Sequence, residues 1–150
     1  MALLETATAL VCMANAVYFE ARGEPDAGKI AVAQVIRNRV NDWRFPNTVC
    51  EVVTDGLRYK ETNVMVKHKC AFSFYCDGKD ETINDKEAYQ WAITISYAVM
   101  NGNLYIDLSN GATHYHANYV YPSWADTMTP TICINAHCFY RWEMDWWNKN

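Results

Sequence analysis

This chain lacks any apolar run of the length needed to cross a bilayer as a helix, about 20 residues, so no stable membrane insertion is expected. It lacks a block of like charges. With 13 Lys and Arg against 17 Asp and Glu its formal charge is −4, and an acidic surface offers phosphates no electrostatic footprint. Nucleic acid is therefore not an expected partner. The six glycines are scattered, which excludes a Gly-rich phosphate loop, and no H-E-x-x-H pair marks a zinc-protease helix. Repeats, linkers and low-complexity segments are missing too, and 150 residues suit one domain, 1–150, with its own core. Met1 to Ala16 is apolar, yet it has no basic start, carries Glu5 and runs unbroken into a helical pattern. It reads as part of the fold rather than as a signal peptide.

What the chain does have is apolar and aromatic content. Half its residues are hydrophobic and one fifth charged, the balance of a globular protein. Six Trp and ten Tyr can stack on sugar faces, although core packing claims most such rings. Six cysteines are an even number. The spacings Cys70–Cys76 and Cys133–Cys138 suit loops, which leaves Cys12 with Cys50; buried free thiols or a zinc site are the alternatives. Disulfides would imply an oxidising space, the periplasm or the cell exterior.

The organisation is mainly helical (α+β), with a small strand region. Apolar residues at Leu3, Leu4, Ala7, Leu10, Val11, Ala14, Val17, Tyr18 and Ala21 keep a helical period up to Gly23. A second helix starts after Pro25, with Asp26 as its cap, and runs to about Asn41. Its Ile30–Ile36 stretch is apolar on nearly all sides, as in a central buried helix, while Arg37 and Arg39 are expected to surface. Phe45–Thr48 is a turn capping a short helix through Val53. Asp55 to Lys69 is polar and irregular and is expected to be loop. A further helix is expected from Asn84, with Glu87 completing a capping box, to Asn101-Gly102. Gly111–Ala117 is strand-like, and an aromatic tail runs from Phe139 to Trp147.

The stretch Tyr18-Phe-Glu-Ala-Arg-Gly-Glu-Pro25 carries the most chemistry. Glu20 sits at the tail of an apolar helix, where the negative end of the macrodipole and the neighbouring buried stripe both disfavour its ionised form. A carboxylic acid kept protonated near neutrality is what glycosidic bond cleavage requires. Arg22 and Glu24 are candidates to orient Glu20 or tune its pKa; surface ion pairing with Arg22 or Lys29 is the bland alternative for either glutamate. His114 and His116 share one strand face and could form half a metal site, with His68, His137, Asp77 or Asp126 as further ligands; the alternative is that they hydrogen-bond substrate or a structural network. Tyr115, Tyr119, Tyr121, Trp124, Trp142, Trp146 and Trp147 are candidates for a sugar groove or for packing.

Y-F-E-A-R-G-E-P (18–25), G-K-I-A-V-A-Q-V-I-R-N-R-V (28–40) and R-F-P-N-T-V-C-E-V-V (44–53) resemble the SleB/CwlJ family of cell-wall hydrolases. C-A-F-S-F-Y-C-D-G (70–78), G-A-T-H-Y-H-A (111–117), P-S-W-A (122–125) and H-C-F-Y-R (137–141) continue the likeness in order. The resemblance implies a lysozyme-like fold acting on peptidoglycan glycan strands; the chain is expected to act as a monomer and without a cofactor. Its catalytic glutamate falls on Glu20, and its better-studied members are lytic transglycosylases, in which one carboxyl suffices. Ser73, Asp77, His114, Tyr115 and His116 become candidates for the sugar-binding groove. The chain departs from the family at Ile134-Asn-Ala-His137, where a glycine often precedes the histidine, and at the motif-free segment 59–69. Relatives with tyrosine in place of the H-Y-H histidines argue against an obligatory metal.

The expected function is cleavage of the MurNAc–GlcNAc strand by a lytic transglycosylase, at the cell wall, from a bacterial enzyme or a phage endolysin. Rival readings are hydrolysis of the same bond, a zinc-dependent N-acetylmuramoyl-L-alanine amidase on His114 and His116, and a glycan-binding module that does not cut.

Overall fold

The structure, a computed structural model, describes residues 2–104 and 106–143. Helix α1 (Ala2–Ala21) leads into α2 (Asp26–Val40) and the short α3 (Val49–Val53). A two-stranded hairpin of β1 (Gly56–Arg58) and β2 (Met65–Cys70) follows, then a 3-10 turn over Ser73–Cys76 and helix α4 (Lys86–Met100). The chain closes with β3 (His114–Ala117), a second 3-10 turn (Ser123–Thr127), β4 (Thr129–Ile134) and β5 (His137–Arg141). These last strands form an antiparallel sheet in the order β3-β5-β4. Among the described residues no helix is long and apolar enough to cross a membrane.

Helix α1 packs on α4, α2 and α3, and its inward stripe Met13, Ala14, Val17 and Tyr18 meets Ile36, Val52, Phe72, Ile95 and Val99 in the main core. Each large side chain buried there contributes about 1.5–3 kcal/mol. Every residue from Ala31 to Ile36 is buried, so α2 is the central helix its composition predicts. Its far side joins Ala21, Ala112 and Phe139 in a second cluster against the sheet. The one polar member of the run has work to do. Gln34 donates to Ile106 O (2.9 Å) and accepts from Leu108 N (2.8 Å). One turn on, Asn38 donates to Ala112 O (2.9 Å), and Arg39 donates to Thr113 O (2.7 Å). These three side chains lash the segment before β3 to α2 and so set where β3 begins.

Several expectations shift. Segment 55–69 is not all loop, because β1 and β2 pair within it. Leu57, Tyr59 and Val64 stay exposed there, so backbone pairing forms the hairpin without a buried face and leaves no alternation to read. Asp85, not Asn84, caps α4, accepting from Ala88 N at 3.0 Å. Asp26 does not cap α2; it lies in the first turn and accepts from Trp91 Nε1 at 2.7 Å. Arg39 does not surface but is 9% exposed, because it falls on the Val32–Val35–Ile36 stripe of α2. Phe139 to Arg141 are strand rather than tail, Trp142 lies under the Arg44 guanidinium (4.0 Å), and Trp146 and Trp147 lie outside the described residues.

Three disulfides join Cys12 to Cys50, Cys70 to Cys76 and Cys133 to Cys138. The first ties α1 to α3. The second brackets the 3-10 turn that carries Ser73 and Phe74. The third links facing residues of β4 and β5 across the two-residue turn Asn135-Ala136.

Candidate active site

Glu20 lies in the last turn of α1, just before the helix stops at Ala21. Its carboxyl is half-buried and receives donors from two distant segments. Tyr115 OH donates to Oε2 at 3.1 Å; Ser73 Oγ and Phe74 N approach Oε1 at 3.4 and 3.5 Å. Burial raises the Glu20 pKa above its ordinary value. The three donors pull it down and the Asp77 charge adds to the rise, yet desolvation is the largest influence and wins. The Tyr115 hydroxyl is held well above its usual range by burial and by Glu20 beside it, so it stays protonated and serves as a donor.

Around this carboxyl opens a cleft of about 310 Å³, lined by Glu20, Arg39, Phe72, Ser73, Tyr115 and His137, with Tyr119 at its rim. Glu20 is the only carboxyl in that lining among the described residues. The Arg39 guanidinium lies over Phe45 at 4.8 Å and Phe72 at 5.5 Å, and burial lowers its pKa. Tyr119 is 86% exposed, an aromatic face open to solvent beside the cleft.

The expected site residues divide. Ser73 and Tyr115 come together on Glu20. Asp77 acts on Glu20 through its charge but lines a neighbouring depression with Phe19, Arg22 and Phe74. Arg22 does not engage Glu20. It donates to the Tyr18 hydroxyl four residues back and lies over that ring at 4.8 Å. Glu24 does not engage Glu20 either, because the break at Gly23 turns it toward the β4–β5 hairpin. There it accepts from Asn135 Nδ2 and from Ala136 N (3.1 Å). Gly28 makes room for this, since a Cβ there would lie 3.2 Å from Glu24 Cβ.

His114 and His116 lie on the face of β3 opposite Tyr115, as the period-2 alternation of a strand requires, and so leave the cleft. They pack against Trp124, at 5.1 and 5.8 Å between ring centroids. Both His116 nitrogens are engaged, Nδ1 with Ala117 O (2.8 Å) and Nε2 with Tyr140 OH (2.9 Å), and His114 Nδ1 meets Thr113 Oγ1 (2.9 Å). The pair sits in a hydrogen-bonded aromatic network. Among the described residues no group of three or more His, Cys, Asp or Glu is placed to hold a metal.

Arg39 and His137 line the cleft although neither was expected in the sugar-binding groove. Arg39 was legible in principle, three residues beyond Ile36 on the buried stripe. His137, expected as a metal ligand or as a hydrogen-bond partner of substrate or of a structural network, arrives through the β4–β5 turn, and nothing local in the sequence announces that placement.

The chain resembles known proteins in both sequence and fold. The model of the cell wall hydrolase family matches residues 23–140, starting just after the turn that carries Glu20. The chain belongs to the cell wall hydrolase family. The spore cortex-lytic enzyme of Halalkalibacterium halodurans is 38% identical over 103 residues, 69% of this chain and 25% of that protein. The chain thus spans about a quarter of the length of the relatives it matches. Among solved structures, the catalytic domain of the germination-specific lytic transglycosylase SleB from Bacillus anthracis is 30% identical, with a TM-score of 0.66 over 89% of this chain and 93% of that one. The catalytic domain of Bacillus cereus SleB is 30% identical with a TM-score of 0.63, covering 89% of each. The mainly α, lysozyme-like architecture with a small strand region is the one these neighbours share.

Proposed function

We propose that this chain, as one catalytic domain, cleaves the MurNAc–GlcNAc strand of peptidoglycan as a lytic transglycosylase, with Glu20 as general acid and then base. The observation that carries the reading is a single half-buried carboxyl of raised pKa on a sugar-sized cleft. A glycosidic oxygen seated beside Glu20 takes its proton as the bond to the anomeric carbon breaks. Ser73, Phe74 N–H and Tyr115 then donate to the carboxylate that forms. The Ser73 and Phe74 contacts on Oε1 are long, at 3.4 and 3.5 Å, and strengthen as charge develops on the carboxyl, which favours the transition state over the ground state. With no second carboxyl among the described residues of the cleft lining to act as nucleophile, the sugar's own C6 hydroxyl closes a 1,6-anhydro ring.

The SleB likeness supports the same reaction, since the Bacillus anthracis neighbour is a germination-specific lytic transglycosylase. Three disulfides favour action outside the reducing cytoplasm, at the wall itself. Digestion of purified wall tests the proposal. Glu20→Gln should lower the rate of release by about 10²–10⁴-fold. Fragments of the wild-type digest should carry anhydromuramic ends, lighter by one water than hydrolytic ones. Wall lysis by Glu20→Gln at the wild-type rate overturns the acid's role, and reducing muramic ends overturn the reaction type.

A further inference from the structure

The cleft holds a charge that the proposed reaction does not use. Arg39 is buried and lines the same cavity as Glu20. Its side chain is fixed at the root of the fork. Nε donates to Thr113 O at 2.7 Å, and the guanidinium lies over Phe45 at 4.8 Å and Phe72 at 5.5 Å. Among the described residues neither terminal nitrogen has an acceptor, and neither is sealed from solvent. With Nε turned to the Thr113 carbonyl, the terminal edge of the fork is the part that meets the cleft. No carboxylate answers this cation. Among the described residues none lies within ion-pair distance of it; Asp55 acts on it only as a more distant charge and itself accepts from Gly56 N. Glu20, the only carboxyl in the described cleft lining, is held toward its neutral form by burial. Burial likewise holds His137 toward the neutral ring. Near neutrality the described lining thus carries one positive charge, in a chain whose formal charge is −4.

A guanidinium taken out of water without a counter-ion is costly, yet it stays protonated. Its natural match is a carboxylate, whose two oxygens accept from the planar fork. We infer that Arg39 is a specificity-determining residue that binds a carboxylate of the muramic residue in the cleft. This contact presupposes the glycan-cleaving reading above and narrows it to a substrate class, strands whose muramic units carry an anionic group. GlcNAc has no such group. The contact therefore also sets the register of the strand, deciding which of the two alternating sugars lies beside Glu20 and so which glycosidic bond receives the proton. The carboxylate has two sources: the lactyl group itself where no stem peptide is attached, or the stem peptide where one is.

The test compares kcat/KM on three soluble substrates. These are peptide-free strands with free lactyl carboxylates, the same strands with those carboxylates converted to methylamides, and strands that keep their stem peptides. Wild type should cleave at least one of the two anionic substrates about ten- to a hundredfold better than the methylamide strands, and the one preferred identifies the source of the carboxylate. In Arg39→Met that ratio should fall to about one. In Arg39→Lys it should be intermediate, because an ammonium keeps the charge but loses the fork. A ratio measured on one preparation does not depend on how much of a variant is folded. A wild-type ratio of about one overturns the inference, and so does a full ratio kept by Arg39→Met. Failure of the underlying reading is distinguishable, since a wild type that cuts none of the strands is no glycosidase. Titration of the wild type with N-acetylmuramic acid and with its methyl ester, followed by NMR, then still decides the contact. The free acid should bind about tenfold more tightly than the ester, and equal binding overturns the role of Arg39.

Discussion

Tyr115 and Glu20 stand 95 residues apart in sequence and meet through a 3.1 Å hydrogen bond from the phenol to Oε2. The bond crosses between the end of α1 and the first sheet strand after α4, so it exists only when both layers are docked. It opposes the effect of burial on Glu20, and so sets how far above the ordinary carboxyl range that pKa rises.

Removing the phenol should therefore move the acid. In Tyr115→Phe the carboxylate loses a donor while burial remains, so the Glu20 pKa rises further. A lost hydrogen bond to a charged group is about 1.5–3 kcal/mol, so the alkaline limb of the pH–rate profile should move up by about one to two units. Activity should fall about tenfold at the wild-type optimum as the product carboxylate loses stabilisation. An alkaline limb that stays in place would show that Tyr115 does not reach the ionised acid.

The Cys70–Cys76 bond should matter more to activity than to stability. It closes a short loop, for which chain entropy contributes about 2 kcal/mol, but that loop presents Ser73 and Phe74 to Glu20. Replacing both cysteines by serine should lower the rate on wall at least about fivefold while the folded baseline persists at assay temperature. Equal losses in rate and melting temperature, from unfolding alone, would contradict the positioning role.

The Cys12–Cys50 bond predicts the reverse. It spans 38 residues and lies between α1 and α3 away from the cleft, and the same chain-entropy relation assigns it about 4 kcal/mol. Cys12→Ser with Cys50→Ser should melt well below the wild type, yet show near wild-type specific activity when assayed below its transition. Calorimetry and a wall-clearing assay on one preparation check both halves.

His114 links stability to pH. Burial, with Arg39 and Arg44 nearby, lowers its pKa from 6.5 to about 4, against a smaller opposing pull from Asp42. The unfolded chain thus binds the proton at a higher pH than the folded one does. Stability from this site is complete above about 6.5 and is lost as pH falls toward about 4. Denaturant titrations of wild type and His114→Gln over that range should differ in slope, the variant losing less stability on acidification. Parallel curves would remove His114 as the cause.

Much of the molecule was legible in advance because it rests on local rules. The apolar period of α1, the all-round burial of α2, and the stop at Asn101-Gly102 follow from side-chain spacing and backbone conformation, and Thr48 caps α3 through Glu51 N from the turn that leads into it. Glu20 was legible for a similar reason, since a carboxyl at the last turn of a buried helix is marked by its own neighbours. The β1–β2 hairpin was not, because its strands bury almost nothing and so leave no alternation.

The amino-acid order alone thus determined which segments coil, where they stop, and which carboxyl borders the interior. Docking of the sheet against α1 and α2 decided the rest. It sent Glu24 to Asn135 and Ala136, turned His114 and His116 away, and brought Arg39, Tyr115 and His137 around Glu20. Those choices depend on contacts between residues up to 112 positions apart, and no local propensity can encode which distant partner a polar group will meet once water is excluded.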